Sequence, residues 1–503
     1  MSGAVDGALR SVGVVGAGTM GAGIAQVLAQ AGAEVRLIDV DAAATARGER
    51  LIEADLARAV QRGRMGEHEA AAVRARVVTG TDVASLAGCE LVVEAVPERL
   101  ELKRDVMRRL AQACGERTIL ATNTSSLLVS AIAATTPAPE RVVGLHFFNP
   151  APAMKLVEVV PGVRTEAGVL ARAVAVVEAA GKRPIVARDG IGFVVNRCAR
   201  PFYGEALKLV AEGVATVEQV DRVCRLGGGF RMGPFELIDL IGVDVNFEIA
   251  RSFFEQSFGE PRWQPSPLQA RLVAAGLNGR KSRRGFYDYA DGPHRPEDPE
   301  LPRGGGGDGR YVAIVGDGPL SELLRARARA AGFSLEPTTT PWLVVDAGPH
   351  PFAGFGWEAP CAALCADRSL AARRQRGAAG FHLLADERAR LVELTAGDDT
   401  APQALARTQE FFTALGLHAE QVGDAPGLVL GRIVAQLVNE AAFAVAEGVA
   451  SIDDVDAGMT LGLRHPRGPG EWSRAVGPAH LRAILDGLWE ERRDPRYRPA
   501  PRA

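Results

Sequence analysis

Apolar residues fall along the first part of the chain in two alternating patterns. Short runs rich in β-branched residues, SVGVV at Ser11, VVTG at Val77, LVVEAV at Leu91, TILAT at Thr118 and RVVGLHF at Arg141, have the length and continuity of buried strands. Between them lie stretches with a helical apolar period, such as TMGAGIAQVLAQ and LELKRDVMRRLAQAC. The alternation continues to about Val186 and predicts a doubly wound parallel sheet. From Asp189 to about Tyr289 long helical patterns with few strands predict an all-α block. The polar stretch DGPHRPEDPELPRGGGGDGR, rich in proline and glycine, reads as a linker. After it, YVAIVGDGPLSELLRARARAAGF starts another unit of strand, glycine turn and helix.

The two halves repeat one another. DGIGFVVNRCARPFYGEALKLVAEGVATVEQVD from Asp189 aligns without a gap on DAPGLVLGRIVAQLVNEAAFAVAEGVASIDDVD from Asp424, an offset of 235 residues, and LVEVVPG at Leu156 matches LVELTAG at Leu391 at the same offset. Two blocks at one shift identify an internal duplication. The glycine turns at Gly16 and Gly316 are 300 residues apart instead, so the second sheet region has lost about 65 residues. The expected domains are 1–188, a nucleotide-binding sheet; 189–290, helical; 291–310, the linker; 311–422, a shortened, degenerate sheet; and 423–503, a second helical domain.

Composition narrows the partners. A chain of 503 residues, 47% hydrophobic and 24% charged, is an ordinary globular protein of several domains. Its net charge of -3 supplies no field for nucleic acid or an anionic membrane, which points to small molecules. No apolar run reaches the roughly 20 residues of a membrane span, and MSGAVDGALR lacks signal-peptide character, so a cytoplasmic protein is expected. Cysteines 89, 114, 198, 224, 361 and 365 show no metal or redox spacing; they read as reduced thiols, and no metal is expected.

GAGTMG places Gly16, Gly18 and Gly21 directly after a strand and at the start of a helix. In that context Gly16 makes the tight turn, Gly18 admits a pyrophosphate to the backbone, and Gly21 lets helix and strand approach. Asp39 ends the second strand, where a carboxylate takes the ribose hydroxyls and disfavours a 2'-phosphate; NAD is therefore the expected cofactor. His146 lies at the C-terminal end of a strand in this sheet, the edge at which open α/β sheets bind ligands, and Glu158 comes within reach if the chain doubles back after HFFNPAP. A neutral imidazole suits removal of a hydroxyl proton near pH 7, and a carboxylate on its other nitrogen fixes the tautomer. The pair suits a conversion of hydroxyl to ketone; a hydrogen-bonded core histidine is the plainer alternative.

NTSS at Asn123, HFFNP at His146, KLVEVV at Lys155, GFVVNR at Gly192, GGFRMGPFEL at Gly228 and GRKSRRGFYDY at Gly279 together resemble the L-3-hydroxyacyl-CoA dehydrogenases, almost continuously over residues 10–290. The resemblance implies a Rossmann sheet followed by a helical domain like that of 6-phosphogluconate dehydrogenase, with a degenerate second copy of both. It implies NAD-dependent oxidation of an L-3-hydroxyacyl-CoA to the 3-oxoacyl-CoA, in fatty-acid or phenylacetate and other aromatic catabolism. By resemblance His146 is the base and Glu158 its partner, while Ser125 and Asn196 hydrogen-bond the reacting oxygen or the thioester; Glu98, Lys103, Asn123, Asn149 and Lys281 match positions that contact NAD. Taken singly, Ser125 also reads as a helix cap, Asn196 as a backbone partner, and the charged residues as solvated side chains. The family places a serine and a lysine near the CoA phosphates where this chain has Glu49 and Leu56; Arg58, Arg62 and Arg64 offer positive charge nearby. A carboxylate-ended acyl chain would want an arginine, for which Arg200 and Arg231 are candidates.

The second half keeps His382 and Glu393 but has Ser321 at the third glycine position, Gly431 for Asn196 and Ala385 for Asn149; it has no NTSS-like segment, and Asp346 lacks a ribose-binding context. Independent activity is not expected of it. The arrangement resembles bacterial two-repeat members of the family, of the 3-hydroxyadipyl-CoA or 3-hydroxybutyryl-CoA type. Either a homodimer or an intramolecular pseudo-dimer through the helical domains follows from that resemblance. Two other functions fit parts of the sequence: a related dehydrogenase of a free hydroxy acid or sugar acid, and a non-catalytic NAD-binding scaffold.

Overall fold

The computed structural model of the chain describes residues 10–337, 340–350, 359–373 and 376–501. Two compact units divide it, one comprising 1–197 with 447–463, the other 198–446 with 464–503. The units interleave the sequence blocks, because a short piece of the second repeat belongs with the first sheet.

In the first unit the runs read as strands form one eight-stranded sheet: β1 Ser11–Val15, β2 Glu34–Ile38, β3 Val77–Gly80, β4 Leu91–Glu94, β5 Ile119–Thr122, β6 Val142–Phe147, β7 Leu156–Pro161 and β8 Arg183–Val186. Their order is β3-β2-β1-β4-β5-β6-β7-β8. Every neighbouring pair is parallel except β6 and β7. Helices cover both faces of a parallel sheet, which explains why β4, β5 and β6 are buried along their whole length. The order reverses between β1 and β4, and such a switch point opens a crevice at the C-terminal strand ends. Helix α1, Thr19–Gln30, follows the β1 turn, and helix α2, Ala42–Gln61, follows β2.

The second unit carries a sheet with the same logic and fewer strands. Among the described residues it runs β14-β13-β12-β11-β10-β9, with β9 Val312–Val315, β10 Leu343–Asp346, β11 Cys361–Leu364, β12 Ala379–His382, β13 Leu391–Thr395 and β14 His418–Gln421. Only β12 and β13 are antiparallel, as only β6 and β7 are in the first sheet. Matching the two orders from that antiparallel pair outward leaves β9 as the counterpart of β1 and β10 of β4. Most of the missing residues are therefore the counterparts of β2, β3 and the helices between them, and the remainder are shortened connections further along.

Each unit borrows a helical turn from the other repeat. In the first unit the helix Ile452–Ala457 and its continuation Gly458–Gly462 pack at β7 and β8: the Arg188 N–H donates to the Val449 carbonyl at 2.9 Å, and Gly458 and Gly462 face Val195, Ile185 and Leu156. In the second, Val217–Arg222 and Val223–Gly227 pack at β13 and β14 in the same way: the Arg390 N–H donates to the Leu226 carbonyl at 2.9 Å, and Arg222 pairs with Glu420 at 2.9 Å. The segment read as a linker is pinned, since Arg225 holds Asp298 at 2.6 Å and His294 and Arg295 both meet Glu236 at 2.9 Å. Five of the six cysteines are buried, and none forms a disulfide.

Candidate active site

The site grows from the register of one antiparallel pair. Because β6 and β7 run in opposite directions, His146 stands directly across from Glu158. The imidazole Nδ1 lies 2.6 Å from the Glu158 carboxylate. Glu158 is fully buried, and its other oxygen accepts the N–H groups of Val194 and Val195, each at 2.9 Å. Those amides open the helix Val195–Ala211, so the carboxylate also sits where a helix favours negative charge. Positive φ angles at Gly192 (68°) and Phe193 (50°) turn the chain just before this helix and aim the two amides. With three hydrogen bonds Glu158 has one available position, and His146 is held with Nε2 as its unused nitrogen. Phe148 and Phe193 flank the ring, at 4.5 and 5.9 Å between centroids.

Ser125 and Asn196 lie side by side: the Asn196 side-chain amide donates to the Ser125 carbonyl at 3.2 Å. The Asn123 side chain ties the site to the sheet by accepting the Phe147 N–H at 2.8 Å. Glu98 gathers the NTSS turn, accepting from the Thr124 hydroxyl at 2.7 Å and from the N–H groups of Ser125 and Ser126 at 2.9 Å. Burial alone would raise its pKa, but Lys103 and these donors together hold its carboxyl below the usual range. Lys103 is itself buried, its ammonium 2.8 Å from Glu94 and 3.3 Å from Glu98. This placement makes it the support of Glu98 in this structure. Asn149 lines a small cavity of about 90 Å³ together with Thr19 and Gly23 of α1. Lys281 belongs to the second unit, half exposed and paired with Asp244 at 2.6 Å.

The glycine turn fits a dinucleotide. Gly16 has φ 101°, and a Cβ there would press on the Ala95 backbone, while one at Gly21 would collide with the Gly16 carbonyl. At Gly18 a Cβ would meet nothing, so this position faces open space at the start of α1, whose N-terminus has no side-chain cap. Uncapped amides beside open space are what a pyrophosphate requires. Asp39 accepts the Ala17 N–H at 2.6 Å, which fixes its carboxylate beside the turn.

Two residues important to this geometry escaped the sequence reading. Asp189 accepts the Val129 and Ser130 N–H groups at 2.9 and 2.7 Å and so anchors the short helix after NTSS. Its equivalent Asp424 does the same for Leu370 and Ala371 at 2.7 and 2.9 Å; the alignment of the two aspartates in the repeat was the available signal. Phe148, between His146 and Asn149, gave none.

The second copy keeps the register, His382 opposite Glu393, but not the contact. Glu393 is drawn to the Val429 and Leu430 N–H groups, and its carboxylate lies 3.8 Å from His382 Nδ1. His382 Nε2 faces His480 Nε2 at 3.1 Å instead. Burial pulls both imidazoles down to about 3 and pushes Glu393 up to about 8, so at neutral pH the cluster carries no charge. A Cβ at Gly431 would run into the His382 ring; the asparagine of the first copy has no room here. His382 is fully buried, without access for a substrate.

Fold and site together define a Rossmann-type oxidoreductase with a histidine–carboxylate dyad. Known proteins agree. Residues 11–190 match the model of the 3-hydroxyacyl-CoA dehydrogenase NAD-binding domain, and residues 192–289 and 427–503 each match the C-terminal domain of the same enzymes. The chain is 36% identical to the 3-hydroxyadipyl-CoA dehydrogenase of Escherichia coli K12 over 98% of its own length and 96% of that protein's. A probable 3-hydroxybutyryl-CoA dehydrogenase of Bacillus subtilis is 40% identical over 56% of this chain and 98% of its own. The crystal structure of an E. coli 3-hydroxybutyryl-CoA dehydrogenase superposes with a TM-score of 0.83 at 34% identity, covering 98% of this chain and 97% of the other. The chain belongs to the 3-hydroxyacyl-CoA dehydrogenase family. No helix among the described residues is long and apolar enough to cross a membrane.

Proposed function

We propose that the protein oxidises L-3-hydroxyacyl-CoA to 3-oxoacyl-CoA with NAD, His146 accepting the hydroxyl proton on Nε2 and Glu158 holding the imidazole. The observation that carries this reading is the 2.6 Å contact between the buried Glu158 and His146 Nδ1 at the C-terminal edge of the nucleotide-binding sheet. A proton on Nδ1, held by the carboxylate, leaves Nε2 as a base, and the carboxylate then stabilises the imidazolium that forms. Gly16, Gly18, Gly21 and Asp39 hold NAD, which supplies the two-electron acceptor at its nicotinamide. Glu98, Asn123 and Asn149 shape the space between that turn and the histidine, supported by Lys103; Lys281 we assign to the cofactor on the resemblance alone. Ser125 and Asn196 present the donors that stabilise charge growing on the reacting oxygen.

A cavity in the first unit favours a coenzyme A thioester over a free hydroxy acid. It has about 400 Å³ and is lined by Gln30, Arg58, Arg62 and Arg64 on one side and Pro150 and Pro152 on the other, directly after the catalytic strand. Arg62 and Arg64 suit phosphates. Glu49 is occupied by the Thr79 hydroxyl at 2.8 Å and Arg74 at 3.3 Å, and Leu56 is core; neither stands in the way. The second half we assign a structural role, that of a built-in dimer partner, supported by the exchanged turns in the two units.

Replacing His146 by Gln tests the chemistry: NADH consumption with acetoacetyl-CoA is expected to fall by about 10²–10⁴ with NADH affinity within twofold of wild type. Unchanged turnover overturns the assignment of the base. Turnover of acetoacetate in preference to its CoA thioester would overturn the substrate class.

A further inference from the structure

One arginine in the second unit lacks the partner its burial demands. Arg200 is 9% exposed, its guanidinium packed over the rings of Tyr203 at 4.8 Å and Phe253 at 5.6 Å. Its Nε is buried without a hydrogen-bond acceptor, and no carboxylate among the described residues pairs with it. It lines a cavity of about 270 Å³ with Tyr203, Lys208, Asn246, Trp263 and Arg496. The side-chain nitrogen of Asn246, on the cavity wall, is also buried without an acceptor.

The other cations of this wall are spoken for. Lys208 holds Asp494 at 2.8 Å. Arg262 holds Glu440 at 2.7 Å, and Arg496 leans on the Gly204 and Gln264 carbonyls, each at 3.4 Å. Burial pulls Arg200 below its usual pKa, but a guanidinium stays charged, so the cavity has one uncompensated positive charge and one idle amide donor. A buried unpaired charge is costly, and a well-packed apolar side chain of similar size would remove that cost. Sites that retain such groups inside a cavity use them to fix a ligand.

We propose that this cavity binds a carboxylate, with Arg200 as the paired cation and Asn246 as the second donor. The cavity is lined by residues of the second unit alone, and its ligand is a free short dicarboxylate acting as an effector. This inference does not rest on the acyl-CoA reading above.

The test uses the full chain and its Arg200→Met variant. The variant is expected to melt no lower than wild type, because it removes an unpaired buried charge. Adipate is expected to raise the melting temperature of wild type but not of the variant, relative to hexanoate at equal ionic strength. The proposal is overturned if adipate gives wild type no shift beyond hexanoate, or if the variant shows the same shift as wild type.

Discussion

Glu158→Gln is the sharpest perturbation of the site because it changes one atom and leaves the shape. Both helix amides, from Val194 and Val195, donate to the same carboxylate oxygen at 2.9 Å, and a glutamine carbonyl can keep both. The new NH2 group then falls on the oxygen that faces His146 Nδ1 at 2.6 Å. A donor there forces Nδ1 to accept, and the single proton of the neutral imidazole moves to Nε2. The nitrogen that must take the substrate proton is thereby occupied. General-base assistance is worth about 10²–10⁴ in rate, and the same inversion of tautomer in a serine protease triad costs about 10⁴ in kcat. The expected loss is therefore about 3–5 kcal/mol of transition-state stabilisation, at about 1.36 kcal/mol per decade. Stability should fall by only about 1–3 kcal/mol, the range for a charged hydrogen bond made weaker. NAD reduction with L-3-hydroxybutyryl-CoA gives kcat in the direction in which Nε2 must accept the proton, quenching of NADH fluorescence gives cofactor affinity, and thermal melting gives fold. Since both substitutions disable one group, Glu158→Gln in a His146→Gln background should add almost nothing. A kcat within about tenfold of wild type, or an undiminished effect in the double variant, refutes the assigned role of Glu158.

Four other outcomes follow from the second half. His382 and His480 have pKa values depressed from 6.5 to about 3, so the stability they contribute is present above pH 6.5 and lost as the pH falls towards 3; acid should weaken wild type more than His480→Phe, which urea midpoints at pH 4 and 6.5 will show. Glu393 is raised from 4.5 to about 8, the opposite sign: its contribution is present below pH 4.5 and lost by pH 8, so Glu393→Gln should resist the rise from pH 5 to 8 better than wild type; parallel midpoints of both proteins refute the assignment. Gly431→Asn, which restores the residue of the first copy, should lower the melting temperature by an overpacking cost of about 1–3 kcal/mol and create no second activity, because the His382 ring occupies the space. A chain ended at Tyr289 loses residues 447–463, uncovers Leu156, Ile185 and Val195, and should dimerise or precipitate; a soluble, fully active monomer by sedimentation would refute the built-in partner.

Much of the first half was legible because its signals are local. Buried parallel strands leave unbroken apolar runs, the glycine turn is six residues long, and the dyad needs only one strand reversal between His146 and Glu158. The duplication was legible because a fixed offset needs no structure. What escaped was carried by bonds that join distant positions and impose no period on the sequence. Asp189 reaches back 60 residues to the Val129 amide, and His480 lies 98 residues from the histidine it abuts. Lys103 shows the related difficulty of burial. A lysine on an amphipathic helix reads as solvated, and only the carboxylates of Glu94 and Glu98 around it explain why it is 1% exposed.

The deletion in the second sheet has a physical logic that joins these observations. In a sheet ordered β3-β2-β1-β4 the strands β2 and β3 form an edge, so their loss breaks no internal ladder and leaves β9 as the new edge. They also bring Asp39 and the helix bearing Arg58 and Arg62, so their loss takes away together the residues proposed here to hold the ribose and coenzyme A. The opposite edge could not be lost so cheaply. There β13 and β14 receive the turn Val217–Gly227, as β7 and β8 receive Ile452–Gly462. The ion pairs at these borrowed segments are reciprocal as well: Arg197 meets Glu447 at 2.9 Å in one unit, and Arg432 meets Glu212 at 2.9 Å in the other, each partner related to its counterpart by the same 235 residues. The second copy thus keeps the part of the sheet that receives a turn from the first repeat and lacks the edge that carries Asp39 and the arginine-bearing helix in the first; its histidine, His382, rests against His480 instead of Glu393.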